Sequence, residues 1–505
     1  MQKSEIKKTI FTIIIFSVLY CAAFIYYIDK IGITWDESDY IISSQNNFKL
    51  IKLLFTDKEK FRDQFHELSY LANQHPALAR WMHGVFYKFI NLYEAKFLNF
   101  RLGNLIFIFI FFAGSCALIL KFWDYKTLAV FFMINLLNPS FIFYMVAGTM
   151  DFPLISFAIL IAAAYFADLE KHMFLKIVFL CVAIGAGFAI KLNMVIFIFI
   201  CFLTAIIFNK KKIFALSIAV ISMFLILFIF YPALWQNTLT NFKNYFHFHL
   251  RHFQNYEFYF NKVYNDSSGF IPSHYAALYF FINFAEISAV FGIAGSIYLL
   301  IKKTKTEETF FIICAAWLQI AVFIFKPGTP LYNKTRLFIS SLPFINIIAA
   351  IFIVNVLQNS YGRRKIIFSI VFSLCFVASC ISFFRTSPEL GSYFNFFLCG
   401  GGSQKAEEYG LQIDTWGESL TLNKIEFINR TFKTNAKIYI AGHHPETARY
   451  LQSIKLFRKD FIFNKELFEE KPDSFDYILL LNNKSLWPPD ILNMIKKNDS
   501  RIIYL

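Results

Sequence analysis

The stretch TIFTIIIFSVLYCAAFIYYI, Thr9–Ile28, is followed beyond a short turn by TWDESDY, Thr34–Tyr40. The first segment carries no charge and has the length, ~20 apolar residues within a range of ~17–25, that a helix needs to cross a bilayer. It follows Lys3, Lys7 and Lys8 and so resembles a secretory signal, but it is long and no small-x-small cleavage site follows. It therefore reads as a retained anchor. Asp29 to about Phe100 is too charged to span. Beyond it apolar runs recur near 101–120, 127–147, 152–167, 174–190, 193–208, 213–231, 276–301, 309–326, 337–357 and 366–384. With the first run, this predicts about eleven transmembrane helices.

The composition agrees. Of 505 residues 57% are hydrophobic and 16% charged, against about 45–50% and about 25% in a soluble domain. That leaves too few charges to coat several soluble domains, and excludes a disordered chain, a disulfide scaffold and a cytosolic enzyme. The 67 Phe among many Ile, Lys and Asn point to a compositional bias, so no single Phe carries functional weight. The net charge of +15 would suggest nucleic acid on a soluble protein. Here it clusters in alternate loops: Lys121 and Lys126; Lys171 and Lys176; Lys210 to Lys212; Lys302, Lys303 and Lys305; Arg363, Arg364 and Lys365. With the N-terminal lysines all of these fall on one side of an eleven-span chain. The positive-inside rule makes that side cytoplasmic, so no nucleic-acid partner is expected.

The opposite, extracytoplasmic side then receives the loop 29–100, the turn at Asp151, the loop 232–275, the turn Lys326 to Arg336, and a tail from about Arg385 to Leu505. The predicted domains are a transmembrane part, 1–384, and a small extracytoplasmic α/β domain, 385–505. In the tail Ala436–Ala441, Phe475–Leu481 and Arg501–Leu505 read as strands, with a helix-like PETARYLQ after Gly442, His443 and His444. Of eight cysteines only Cys399 lies outside the predicted spans, and neither a disulfide framework nor a zinc spacing is present.

The candidate site residues lie on that outer side. Asp36, Glu37 and Asp39 sit within four positions, where like charges raise one another's pKa. Such a group can act as a general base or bind a divalent cation; it is equally what a helix start capped by Thr34 favours. In Asn73-Gln74-His75-Pro76-Ala77-Leu78-Ala79-Arg80-Trp81, His75 is a candidate phosphate or metal contact. Pro76 suits a first helical turn, and Arg80 and Trp81 an interfacial helix. Asp151 lies at a span edge, where the simplest reading is a carboxylate facing water. Lys191 interrupts an apolar stretch; intramembrane cations are costly and mark function, unless they snorkel to the interface. Arg336 opens a late span and suits two-point capture of phosphate. His247, His249, Arg251 and His252 read as an interfacial aromatic-basic segment with a weak metal signal.

The order of these pieces resembles the GT-C membrane glycosyltransferases. It is closest to the phospholipid-carrier-dependent group related to the protein O-mannosyltransferases and the lipid A aminoarabinose transferase. The matching motifs are WDESDY after the first span, HPALARW, the turn DFPL, the span ending GAGFAIK, and RLFISSLPF. In the tail Ser387-Pro388-Glu389-Leu390, Tyr393-Phe394-Asn395, Gly400-Gly401-Gly402 and Asp414-Thr415-Trp416-Gly417-Glu418 match as well. The likeness covers about residues 1–425. Gly391 interrupts the Glu-Leu-Ser-Tyr stretch, Asp414-Thr415-Trp416 replaces the usual aromatic before Trp, and family members often have twelve or thirteen spans.

What the resemblance implies is an inverting transfer of a sugar from a polyprenyl-phosphate carrier to a hydroxyl of a cell-envelope glycan, lipid or protein. This would take place at the outer side of the bacterial inner membrane, with the N-terminus cytoplasmic. Asp36 would be the base, or with Glu37 would hold a metal; metal use varies among such enzymes and stays open. Lys191 and Arg336 would stabilise the leaving phosphate, His75 and Arg80 would place the donor headgroup, and Asp39 and Asp151 would serve the acceptor or support the site. The rival classes are a transporter or flippase of lipid-linked or anionic substrates, and a polymerase or ligase of lipid-linked glycans. Transporters often show repeated halves, and the sequence has no half-to-half similarity.

Overall fold

A computed structural model describes residues 3–70, 75–167, 172–250, 254–302, 306–326, 328–400, 402–466 and 470–505. Asn73, Gln74, Lys171, Arg251, His252, Lys303, Lys305 and Gly401 lie outside the described residues.

The chain is an integral membrane protein built from helices, with a small α/β module. The first helix α1 (Lys3–Tyr27) is followed by α2 (Trp35–Thr56), α3 (Lys58–Tyr70), α4 (Leu78–Phe89) and α5 (Lys96–Arg101). Next come α6 (Asn104–Phe122), α7 (Tyr125–Leu136), α8 (Pro139–Val146), α9 (Asp151–Phe166), α10 (Met173–Phe188), α11 (Val195–Phe208), α12 (Lys212–Phe230) and α13 (Thr238–Leu250). A two-stranded hairpin, β1 (Glu257–Tyr259) with β2 (Lys262–Tyr264), precedes α14 (His274–Asn283), α15 (Glu286–Ile301), α16 (Glu307–Phe325), α17 (Leu342–Asn359) and α18 (Gly362–Thr386).

Among the described residues six helices are long and apolar enough to cross a membrane, α6 together with α5 being one and α17 with the turn from Arg336 another. Two further spans are bent pairs, α7 with α8 at 79° and α14 with α15 at 118°, and α9, α10 and Leu192–Phe208 are shorter apolar helices. Together these are the eleven apolar runs of the sequence. The bends are where the structure departs from straight spans. Between α7 and α8, Pro139 has no N–H to continue the ladder, and Asn138 caps the new start through Phe141 N (3.2 Å). Between α14 and α15, Ala285 is extended at ψ 145°. Glu286 then accepts from Ser382 Oγ (2.6 Å) and from the backbone N–H of Phe396 (2.6 Å), tying the bend to α18 and to the chain beyond it.

The core lies where apolar helices bury both faces. Every residue of α9 from Asp151 to Phe166 except Leu160 is buried, as is α17 from Leu342 to Ile351. Helices α1, α12 and α18 keep large apolar side chains such as Phe11, Phe214 and Leu374 exposed, as lipid-facing helices do. At one end of the bundle Lys212 Nζ and Tyr165 Oη donate to Glu307 Oε1 (2.7 and 2.6 Å), joining the ends of α9, α12 and α16. The candidate residues gather at the opposite end.

The tail begins with the turns and short helices α19 (Phe396–Cys399) and α20 (Ser403–Glu408), then α21 (Leu422–Thr431). Its module is β3 (Lys437–Ala441), α22 (Pro445–Ser453), β4 (Ile462–Phe463), β5 (Tyr477–Leu480), α23 (Pro489–Lys496) and β6 (Ile502–Tyr504). The strands form one parallel sheet in the order β4-β3-β5-β6. The apolar runs IYIA and ILL are buried along their length, as a parallel sheet covered on both faces requires. The short strand β4 is an addition to the three strands read from sequence.

Candidate active site

Two adjacent carboxylates of WDESDY turn to different sides of α2. Thr34 caps this helix: its Oγ1 accepts from Glu37 N (3.3 Å) while Glu37 Oε2 accepts from Thr34 N (2.9 Å), a capping box. Glu37 is fully buried. Its Oε1 also accepts from Arg101 Nε (2.6 Å) and Gly148 N (2.7 Å), and its Oε2 from Arg101 Nη2 (2.7 Å). Arg101 spends its remaining hydrogens on the carbonyls of Ile28, Ile31 and Gly32, each at 2.7 Å. All four lone-pair directions of Glu37 are thereby taken, which departs from the expectation of a catalytic or metal-binding role. Glu37 instead ties the end of the first span to the turn before Asp151. Burial pushes its carboxyl up, but the Arg101 charge and the four hydrogen bonds outweigh this and hold it below the usual range.

One residue earlier, Asp36 faces the other way. Its Oδ2 accepts from the Arg336 guanidinium and from Tyr40 Oη (3.3 Å). Arg336 Nε also donates to Asp151 Oδ2 (3.2 Å), and Lys191 Nζ donates to Asp151 Oδ1 (3.0 Å). The four side chains form an alternating chain, Asp36–Arg336–Asp151–Lys191. Asp151 is fully buried, Lys191 and Arg336 nearly so, and the Asp36 side chain keeps 15% of its surface open. The water-facing reading of Asp151 is thus overturned: it is the link between the two cations. Among the described residues Asp36 Oδ1 makes no hydrogen bond.

The backbone explains why these groups meet. Lys191 is extended (φ −158°, ψ 141°) in the break after α10. Asn333 and Lys334, just before Arg336, both have φ near +55°, a conformation Asn tolerates and Lys rarely adopts. It is held in place: Glu257 Oε2 accepts from Asn333 N (2.9 Å), Tyr275 Oη accepts from Lys334 N (2.8 Å), and Tyr275 donates to Glu257 Oε1 (2.9 Å). Burial pushes Glu257 up to about 7. Lys334 Nζ reaches the carbonyls of Gly391 (2.7 Å) and Ile413 (2.6 Å) in the tail.

The tail also supplies a ring, Trp416, that the sequence reading quoted within a matching motif but did not place in the site. Trp416 packs against Arg336, guanidinium carbon to ring centroid 4.5 Å. Its carbonyl accepts from Trp35 N (3.2 Å), and that of Glu418 from Gly32 N (3.0 Å). Asp414 makes the turn by accepting from the N–H groups of Trp416 (3.1 Å) and Gly417 (2.6 Å) and from Ser419 Oγ (2.6 Å). Gly417 has φ +75°, and a Cβ there would stand 2.0 Å from the His443 ring, so only glycine fits. Tyr40 was also missed as a member of the site, and Arg101 as the partner that seals Glu37 beneath it. An arginine opening an apolar run was the available signal for Arg101, as it was for Arg336.

The remaining candidates form no ion pair with this chain, although His75 lies close enough to feel the charges of Lys191 and Arg336. Arg80 is buried, donates to Ser43 Oγ (2.9 Å) and to the His75 carbonyl, and meets the Tyr40 ring at 5.9 Å. His75 stacks at 5.3 Å on His249. Asp39 turns towards α22. Burial, with the charges of Asp36 and Glu446, pushes it up to about 7. Among the described residues no three His, Cys, Asp or Glu are placed to hold a metal ion. With Glu37 saturated and Asp36 Oδ2 held by Arg336, the Asp36–Glu37 pair does not fit a divalent cation.

No family model and no curated protein matches the sequence; the fold does match. The oligosaccharyltransferase of Archaeoglobus fulgidus in its apo form superposes over 89% of this chain and 64% of its own, with a TM-score of 0.50 and 10% identity. The chain has the GT-C fold. ArnT from Cupriavidus metallidurans, also of this fold, aligns in its apo state over 85% of this chain and 82% of its own, at 12% identity and a TM-score of 0.49. Its structure bound to undecaprenyl phosphate aligns over the same shares at 0.48.

Proposed function

We propose that the protein is an inverting glycosyltransferase that moves a sugar from a polyprenyl-phosphate carrier to a hydroxyl acceptor. The reaction takes place on the extracytoplasmic side of a bacterial inner membrane, with the N-terminus in the cytoplasm and the tail outside. The observation that carries this reading is the convergence of Asp36, Arg336, Asp151 and Lys191 from four separate segments at one end of the bundle. A carboxylate with one open oxygen beside two buried cations is what transfer from a phosphate ester needs.

Asp36 Oδ1 accepts the proton of the acceptor hydroxyl as its oxygen bonds to the anomeric carbon from the face opposite the phosphate. The bond from that carbon to the phosphate oxygen breaks, and its electron pair leaves with the lipid phosphate. Arg336 and Lys191 take up the charge that develops there. Without donor, Asp151 and Asp36 neutralise both cations. A bound phosphate shares them, which frees Asp36 to act as base, while Asp151 keeps Lys191 and Arg336 aimed. Tyr40 orients the Asp36 carboxylate, and Arg80 and His75 border the donor headgroup. Asp36→Asn, in purified protein given a panel of polyprenyl-phosphate sugars, should abolish donor consumption while the fold is kept. Turnover within a few-fold of wild type would remove Asp36 as the base.

A further inference from the structure

A cavity opens between the membrane part and the tail, away from the ion-pair chain. It measures about 530 Å³ and is lined by Ile42 and Gln45 of α2, Tyr87 of α4, and Glu446, Arg449 and Tyr450 of α22. That volume is in the range of small-ligand sites, about 300–1,000 Å³. The lining joins two tyrosine rings to a carboxylate, a guanidinium and an amide. Aromatic faces cover the C–H side of a sugar ring, and fixed charged and amide groups bond its hydroxyls.

The cavity is connected to Asp36 by the geometry of α2. Asp36 and Tyr40 share the side facing Arg336, and Ser38, Ile42 and Gln45 the side facing α22, where Ser38 Oγ meets Thr447 Oγ1 at 3.0 Å. At 3.6 residues per turn Asp39 lies between these two sides. Asp36, Asp39, Ile42 and Gln45, three apart, form one oblique ridge. Along it the cavity lies roughly 9–14 Å from Asp36 at 1.5 Å per residue.

We propose that this cavity binds an uncharged sugar unit of an oligosaccharide acceptor, one or more units away from the hydroxyl that Asp36 deprotonates. The acceptor role rests on the function proposed above; the sugar binding does not. Uncharged chemistry follows from the walls. Glu446 lines the cavity, and Arg449 is shared with it at 3.7 Å, so a phosphorylated headgroup finds a carboxylate and no unshared cation.

The test is saturation-transfer NMR on the full chain in detergent, with maltotriose, mannotriose and chitotriose as probes and glucose 1-phosphate as the anionic control. At least one trisaccharide should bind, and the phosphate should not compete. Gln45→Trp, an exposed position whose enlargement fills the cavity, and Arg449→Ala should each weaken binding at least tenfold. Asp36→Asn should bind the same trisaccharide as wild type. Absence of binding by all three, binding that survives both cavity variants, or displacement by glucose 1-phosphate would overturn the assignment. Normal transfer by Asp36→Asn with trisaccharide binding intact would sink the base and leave the cavity standing.

Discussion

Two neighbouring carboxylates should fail in opposite ways when each loses its charge. Glu37→Gln leaves Arg101 fully buried with no counter-charge, since its other partners are the neutral carbonyls of Ile28, Ile31 and Gly32. The new amide also turns an NH₂ towards N–H groups of Thr34, Arg101 or Gly148, where the carboxylate had accepted from all three. Removing one partner of a buried ion pair costs about 3–5 kcal/mol, a large share of the ~5–15 kcal/mol that stabilises a typical protein. Asp36→Asn is milder. Its side chain is the most open of the ion-pair chain, and Arg336 keeps Asp151, so the cost should stay well below that of Glu37→Gln. The assay is thermal unfolding in detergent at one fixed heating rate, read beside donor turnover. Glu37→Gln should lower Tm by on the order of 5 °C or more and lose yield and activity together; Asp36→Asn should keep Tm within a degree or two and lose activity alone. A Glu37→Gln protein with wild-type Tm and no turnover would refute the structural assignment and return Glu37 to the chemistry.

Arg336→Ala should raise the donor concentration needed for half-maximal rate at least tenfold, measured by donor titration; an unchanged requirement would take Arg336 out of the phosphate site. Asp39 supplies a pH signature. Its folded pKa of about 7 stands above the ordinary 3.8, so its contribution to stability is full below pH ~4 and is lost as pH rises through about 7. Asp39→Asn should therefore raise Tm relative to wild type at pH 8 and lose that advantage by pH 4. A difference in Tm that does not change over this range would show that the carboxyl is not held neutral in the fold.

The eleven apolar runs were legible because a bilayer imposes a length, and so were Asp36, Lys191 and Arg336, which break apolar or juxtamembrane segments. The bend at Ala285 was not, because it depends on partners such as Ser382 and Phe396, 96 and 110 residues distant from Glu286. The division of labour within Asp36-Glu37 was hidden for the same reason. Successive helical residues point about 100° apart, and only the position of Arg101, 64 residues on, decides which of the two is sealed in. Asp151 misled because an acidic residue at a span edge looks alike whether water or a buried cation awaits it.

The contact of Trp416 with Arg336 sets an order of events during synthesis. A chain halted before residue 410 already carries every span, together with Asp36, Asp151, Lys191 and Arg336. It still lacks the ring packed on Arg336 and the carbonyls that receive Gly32 and Trp35. The polypeptide thus carries all four ion-pair residues before the segment that covers Arg336 has been made, so a product truncated there enters the membrane without the ring packed on that arginine.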